Sequence, residues 1–349
     1  MLHPRTAAVV ISSAALLITA CATSPVAAIR PAPPKAADTG AAPRAAQQSP
    51  LPEVAAQPAL IQKEAATVHA RYYRLLREIS RRGGKGIEQA EAGAGLQMSR
   101  AQYRIAEIDK RPRKPPTAVA RTRFFIPRPV PGQPRWFLAA DTPRGSHGSI
   151  HLVFSERHPG EWRVVSGTYT SSQDMRRLPD LAVGVDGLAD AVGESSRGTL
   201  LISPRSLAQA YARYISTWGK SHRKLFATGR NTSERVEEEN GERAAVNGRW
   251  SMQLRSRALP GVYSLRTVDG GAVSWICRTQ EEAFTSQAPG VYAKFSDPDM
   301  RALSGGASFY HEVTTRKVGC YLAVVPTAAS GRKVLVVGDW SSWISVEGS

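Results

Sequence analysis

From Leu60 onward, apolar positions recur every three or four residues, at Ile61, Ala65, Val68, Tyr72, Leu75 and Ile79. This is the one-sided stripe of an amphipathic helix over 60–82, ending near the Gly83-Gly84 pair. Arg71, Arg74, Arg77 and Arg81 fall opposite that stripe, which predicts that they face solvent. A second helical stretch is predicted between Ile87 and Ile108, weakened at Gly93 and Gly95 and restarting with Ser99 as an N-cap. Beyond Pro116 the period shortens. β-Branched and aromatic runs at 120–126, 134–140, 149–155 and 161–169 read as four antiparallel strands, with Pro159-Gly160 turning one hairpin.

The order then starts again. Ser203-Pro204 is an N-cap followed by proline at the first helical position, and Leu207, Ala210, Tyr211, Tyr214, Ile215 and Trp218 form the stripe of another helix. A further helical piece is predicted over 233–245, and strands over 261–268, 272–284, 309–325 and 334–346, with Asp269-Gly270-Gly271 as a hairpin turn. Short matches keep the same order in both parts: Ala70-Arg71-Tyr72 with Ala212-Arg213-Tyr214, Arg135-Trp136-Phe137 with Ser274-Trp275-Ile276, and Val164-Val165 with Val336-Val337. Their spacing predicts a duplication into units 58–175 and 176–349, the second carrying an insertion at 287–307. The expected fold class is α+β, two tandem units with N-terminal helices packed on a curved antiparallel sheet. That order of elements resembles the NTF2-like and cystatin-like folds, a resemblance that implies architecture and no activity.

The first 57 residues have no such periodicity. A short basic start, then apolar and small residues from 7 to 20, read as an export signal over 1–20, too short to span a bilayer comfortably. Ile18-Thr19-Ala20-Cys21 resembles the bacterial lipobox. In that reading the Cys21 thiolate takes a diacylglyceryl group and becomes the mature N-terminus, held on the outer face of the cell membrane by acyl chains. An ordinary secretory cleavage after Ala22 is the alternative; lipidation is preferred because the chain has only 3 cysteines and one stands here. Residues 21–57, rich in Ala and Pro, read as a disordered tether.

Charge narrows the partners. The formal net charge is +17, and residues 60–135 hold much of it, with 17 Lys and Arg against 6 Asp and Glu. Export makes nucleic acid an improbable target. The cations predicted to face outward are Arg74, Arg77 and Arg81 on the first helix, and Lys110, Arg111, Arg113 and Lys114 in a proline-interrupted loop. They fit anionic wall polymers or phospholipid headgroups; a solubilising surface with no partner fits them about as well.

Candidate chemistry is sparse. Cys277 and Cys320 lie in strand-like runs and are destined for an oxidising compartment, where a disulfide and two buried free thiols are both open. His147, His151 and His158 cluster in sequence without carboxylate or cysteine at zinc spacing, so no metal and no cofactor are expected. Glu234 to Glu239, Asp297 and Asp299 read as solvated faces. No Gly-x-Ser-x-Gly elbow or Gly-rich phosphate loop is present. With its lipobox, tether and runs such as "PRWFLAAD" and "VLVVGDWSSW", the chain resembles actinobacterial lipoproteins carrying a domain of unknown function. The leading expectation is a non-catalytic binding or scaffolding module. A binder of a small apolar ligand, or an enzyme acting on one, is the alternative, and a cavity between helix and sheet within one unit would favour it.

Overall fold

The computed structural model describes residues 8–11, 60–111, 113–129 and 133–349. Cys21, the tether over 21–57 and most of the signal segment lie outside these residues. Within that segment, strand β1 (Ala8–Ile11) runs parallel to β9 (Tyr292–Phe295), so removal of a leader would free that edge of β9.

Helix α1 spans Gln62–Arg81 and begins where the Glu64 carboxylate accepts the Ile61 backbone N–H at 3.0 Å. It buries Ala65, His69, Tyr72 and Ile79. The turn after it needs glycine at position 84, which sits at φ +93° with a notional Cβ 2.4 Å from the Tyr103 ring. Helix α2 runs Gly93–Ile108, starting at Gly93 and not at Ser99, which is buried inside it. The reason is contact. A Cβ on Gly95 would come 3.3 Å from the Val164 carbonyl, so glycine here lets the first turn of the helix lie directly on strand β5 (Glu161–Thr170).

Strands β2 (Val119–Phe125), β3 (Trp136–Pro143), β4 (Ser149–His158) and β5 form an antiparallel meander. Gly160, at φ +80°, closes the β4–β5 hairpin, in which His158 pairs with Glu161. A one-turn helix α3 (Ser172–Met175) follows, then helices α4 (Pro204–Ser216) and α5 (Arg235–Val246). The Ser203 hydroxyl caps α4 by accepting from the Ser206 N–H.

The second half continues with β6 (Trp250–Ala258), β7 (Tyr263–Arg266) and β8 (Ala272–Ser286). After β9 and the short helix α6 (Pro298–Leu303) come β10 (Glu312–Val325) and β11 (Leu335–Gly348). β6 and β7 pair with successive parts of β8 along one edge, as a single interrupted strand. β6 is not among the strands expected from the sequence, although Trp250, Met252 and Leu254 alternate inward there with period two. β9 and α6 fall within the expected insertion at 287–307.

The expectation of two sheets is corrected. One antiparallel sheet runs β2-β3-β4-β5-β11-β10-β8-β6, and the halves join at their last strands, through Thr170 with Gly338 and Tyr169 with Asp339. The reason is an unpaired edge. A meander ending in β5 leaves backbone donors and acceptors open, and β11 takes up the last two residues of that edge while Ala90 and Ala92 take up Val164. Each half keeps its own helix-on-sheet core: Tyr72 and Ile79 against Phe137, Leu152 and Phe154 in the first, and Leu207, Tyr211 and Ile215 against Ile276, Ala323 and Val336 in the second. A third core lies between the halves. Trp136, Leu138 and Val153 meet Trp275, Leu322 and Val337, and the Trp136 and Tyr263 rings sit 5.1 Å apart. Complete burial of such side chains contributes about 1.5–3 kcal/mol each, which makes the halves one packed body. Bridges from Leu181 to Thr267, Pro127 to Ala189 and Ala191 to Leu265 stitch the connecting segment across the fold.

Candidate functional site

The helix-on-sheet core of the first half is not filled. A cavity of about 390 Å³ opens between α1, α2 and the meander, within the range of small-ligand sites. Leu76, Met98, Ile150, Leu152, Val164 and Trp340 give it apolar walls, Trp340 reaching in from β11. The segment from Arg113 to Thr117 lies along its margin.

Its polar groups come from local geometry. Ala90 and Ala92 hydrogen-bond through their backbones to Val164, an isolated bridge that fixes Glu91 between a 3-10 turn (Ile87–Gln89) and α2. Glu91 is buried and lines the cavity; its Oε1 accepts from the Tyr72 hydroxyl at 3.1 Å and its Oε2 has no partner. Burial pushes the Glu91 carboxyl above its ordinary range, while the nearby Ser99 and Tyr72 hydroxyls and the charge of Arg113 pull it back. Tyr73, also in the wall, donates to Asp141 Oδ2 at 2.8 Å. Asp141 is fully buried and also takes Thr122 Oγ1 at 2.6 Å and His69 Nε2 at 2.9 Å. Burial raises the pKa of both tyrosines, so they act here as hydrogen-bond donors.

The cations anticipated from sequence separate into two groups. Arg74, Arg77 and Arg81 are exposed on the outer face of α1, and Lys110 and Arg111 are exposed at the end of α2, with Arg111 paired to Asp109. Arg113 departs from the expectation of an outward-facing loop. It is half-buried, its guanidinium 4.9 Å from the centre of the Tyr103 ring, and both it and Lys114 line the cavity. A guanidinium is weakly hydrated and stacks on an aromatic face, which turns the side chain inward.

The histidines do not converge: His147 and His158 are exposed and His151 is buried in the core between the halves. Cys277 and Cys320 stand opposite each other on β8 and β10 and are joined Sγ to Sγ. The acidic run is not wholly solvated. Glu239 is buried, paired with Arg235 at 2.7 Å and with the Gln280 amide at 2.8 Å, and Asp297 caps α6. Arg278, Gln280 and Glu282 follow on the same face of β8, so the core of the second half carries a buried polar ladder. Burial, with Glu239 and Glu242 nearby, raises Glu282 to about 7, and burial lowers Lys317 to about 8. Glu239, Glu242 and Glu282 bring carboxylate oxygens within 4.8 Å of one another beside a smaller cavity of about 230 Å³. Arg235 and Gln280 already engage Glu239, so the cluster reads as an internal ion-pair network.

The profile of a family described as a domain of unknown function, DUF8094, matches residues 56–347. The chain belongs to this family. The matched span takes in both helix-and-strand halves and the seam between them, so the cavity lies inside the family domain. An uncharacterised lipoprotein of Streptomyces coelicolor is 28% identical over 237 residues, covering 64% of this chain. The chain spans 66% of the length of that relative. No solved structure matches the chain. No helix among the described residues is long and apolar enough to cross a membrane.

Proposed function

We propose that this protein is a lipid-anchored extracytoplasmic module that binds a small, mostly apolar ligand in the cavity of its first half. The observation that carries the reading is that partly open, mainly apolar cavity, bordered by two polar atoms which the protein leaves unpaired. Attachment at Cys21 is supported by the lipobox and by the lipoprotein relative. The order of preference drawn from sequence is therefore reversed, with the ligand binder ahead of the scaffold. Binding is preferred over catalysis because the tyrosine hydroxyls at the cavity are engaged, Tyr72 with Glu91 Oε1 and Tyr73 with Asp141, while Glu91 Oε2 and Arg113 Nη1 stay available to a ligand. We also read the halves as diverged copies of one NTF2-like unit; two helices followed by a four-stranded meander in each support this.

A neutral, environment-sensitive apolar dye tests the binder. It should bind the wild-type protein and be lost from Ile150→Trp, which fills the cavity, and from the milder Leu76→Phe. Equal dye binding by all three folded proteins would reject the reading. Exposed Arg74, Arg77 and Arg81 on one face of α1 favour a second role against anionic headgroups or wall polymers. Salt-sensitive, anion-selective vesicle binding that falls when all three become Gln would support it, and no vesicle binding even at low salt would remove it.

A further inference from the structure

We infer that the ligand of this cavity is a single-chain amphiphile with an anionic headgroup, a carboxylate or a phosphate, seated between Arg113 and Glu91. The inference rests on the cavity reading above and specifies its occupant. Two side-chain atoms of cavity-lining residues are buried without a partner, Arg113 Nη1 and Glu91 Oε2. A guanidinium N–H cannot accept, so the group missing from Arg113 is an acceptor, and a charged one is strongest. Lys114, exposed beside it at the cavity margin, adds a second cation that favours an anion at the mouth. Burial raises the Glu91 carboxyl above its ordinary range, and a protonated carboxyl carries an O–H donor that suits the same acceptor-rich headgroup. A neutral headgroup would offer the half-buried Arg113 Nη1 only an uncharged acceptor, and a cationic one would oppose it.

The rest of the cavity accommodates a tail. Leu76, Met98, Ile150, Leu152, Val164 and Trp340 present carbon surface, and a volume of about 390 Å³ is near the lower end for ligand sites, too little to enclose both chains of a two-chain lipid. A protein anchored by its own acyl chains would sit beside a reservoir of such molecules.

The test uses the full-length chain carrying Cys21→Ser, so that no covalent acyl chain competes, with binding followed by calorimetry. The probes are dodecanoate, dodecyl phosphate, dodecanol, dodecylamine and butyrate. At least one of the two long-chain anions should bind about tenfold tighter than dodecanol, and butyrate, which lacks a tail, should not bind measurably. Arg113→Gln should weaken anion binding about tenfold and leave dodecanol unchanged. Glu91→Gln, which keeps a donor at this position, should retain the preference for the anion. Ile150→Trp should abolish binding of every long-chain probe. Dodecanol or dodecylamine binding as tightly as the anions, or an Arg113→Gln protein that folds with its anion preference intact, overturns the headgroup assignment and leaves the cavity reading standing. If no long-chain probe binds the wild-type protein, both fail.

Discussion

His151 lies on β4 between Ile150 and Leu152, which line the ligand cavity, and so it projects from the other face of the sheet into the core between the halves. It is 5% exposed, its ring is 6.0 Å from that of Trp275, and neither ring nitrogen has a partner among the described residues. Burial disfavours the imidazolium and holds the pKa at about 4, against the opposing pull of Asp141. In the unfolded chain the same group titrates near ~6.5. Below that pH the unfolded chain takes up a proton that the folded protein refuses. The contribution of His151 to stability is therefore intact above pH ~6.5 and is lost progressively as the pH falls toward the folded pKa. At a pH of about 4.5 the loss works out at roughly 2.5 kcal/mol. His151→Phe removes the proton-binding group while keeping a ring opposite Thr168 on β5. Urea unfolding of both proteins, followed by circular dichroism near neutral pH and at about pH 4.5, isolates the effect. Glu282 and the other acids titrate alike in both proteins, so their contributions cancel. The wild-type protein should lose about 2.5 kcal/mol more than the variant on acidification. Equal losses would refute the assignment of a neutral, desolvated imidazole to this position.

Four further outcomes are expected. Asp141→Ala should cost about 3 kcal/mol in denaturant unfolding, because it strands buried His69 and removes the acceptor of the half-buried Tyr73 and Thr122 hydroxyls; a cost below about 1 kcal/mol would mean these groups find other partners. Gly84→Ala should cost about 2 kcal/mol or more, from positive φ and collision with Tyr103, and a neutral result would show that the turn relaxes freely. Replacing both Cys277 and Cys320 with Ser should lower stability by about 4 kcal/mol, as releasing a 43-residue closure predicts, and mass spectrometry without reductant should find the two cysteines in one crosslinked peptide. Cys21→Ser should move the protein from the membrane fraction to the medium, and unchanged retention would count against lipid anchoring.

Elements whose signal is local were legible in the sequence. The stripe from Ala65 to Ile79 marks α1, Ser203-Pro204 marks the start of α4, and Pro159-Gly160 marks the β4–β5 turn, because helix period, capping and positive φ are each decided within a few residues. The exposed arginines of α1 follow from the same periodicity. Strand β6 was legible in principle, since Trp250, Met252 and Leu254 alternate, yet its polar outer face and the charged helix before it masked the pattern.

Tertiary structure decided the rest. Arg278, Gln280 and Glu282 read as a polar strand face, and they are buried because α5 brings Glu239 and Arg235 over them, a pairing across about 40 residues that no local pattern encodes. The glycines that seemed to weaken α2 instead permit its contact with β5, which depends on where β5 lies in space. The union of the two meanders into one sheet depends on which unpaired edge is nearest when the halves pack around Trp136 and Trp275. Glu91 stands in an Ala- and Gly-rich stretch, and Arg113 in a basic, proline-rich loop. By sequence Arg113 looks solvated, and nothing local marks Glu91. Only the gap left between two helices and a curved sheet gives them a common cavity, because an empty volume is a property of packing and has no residues of its own to mark it.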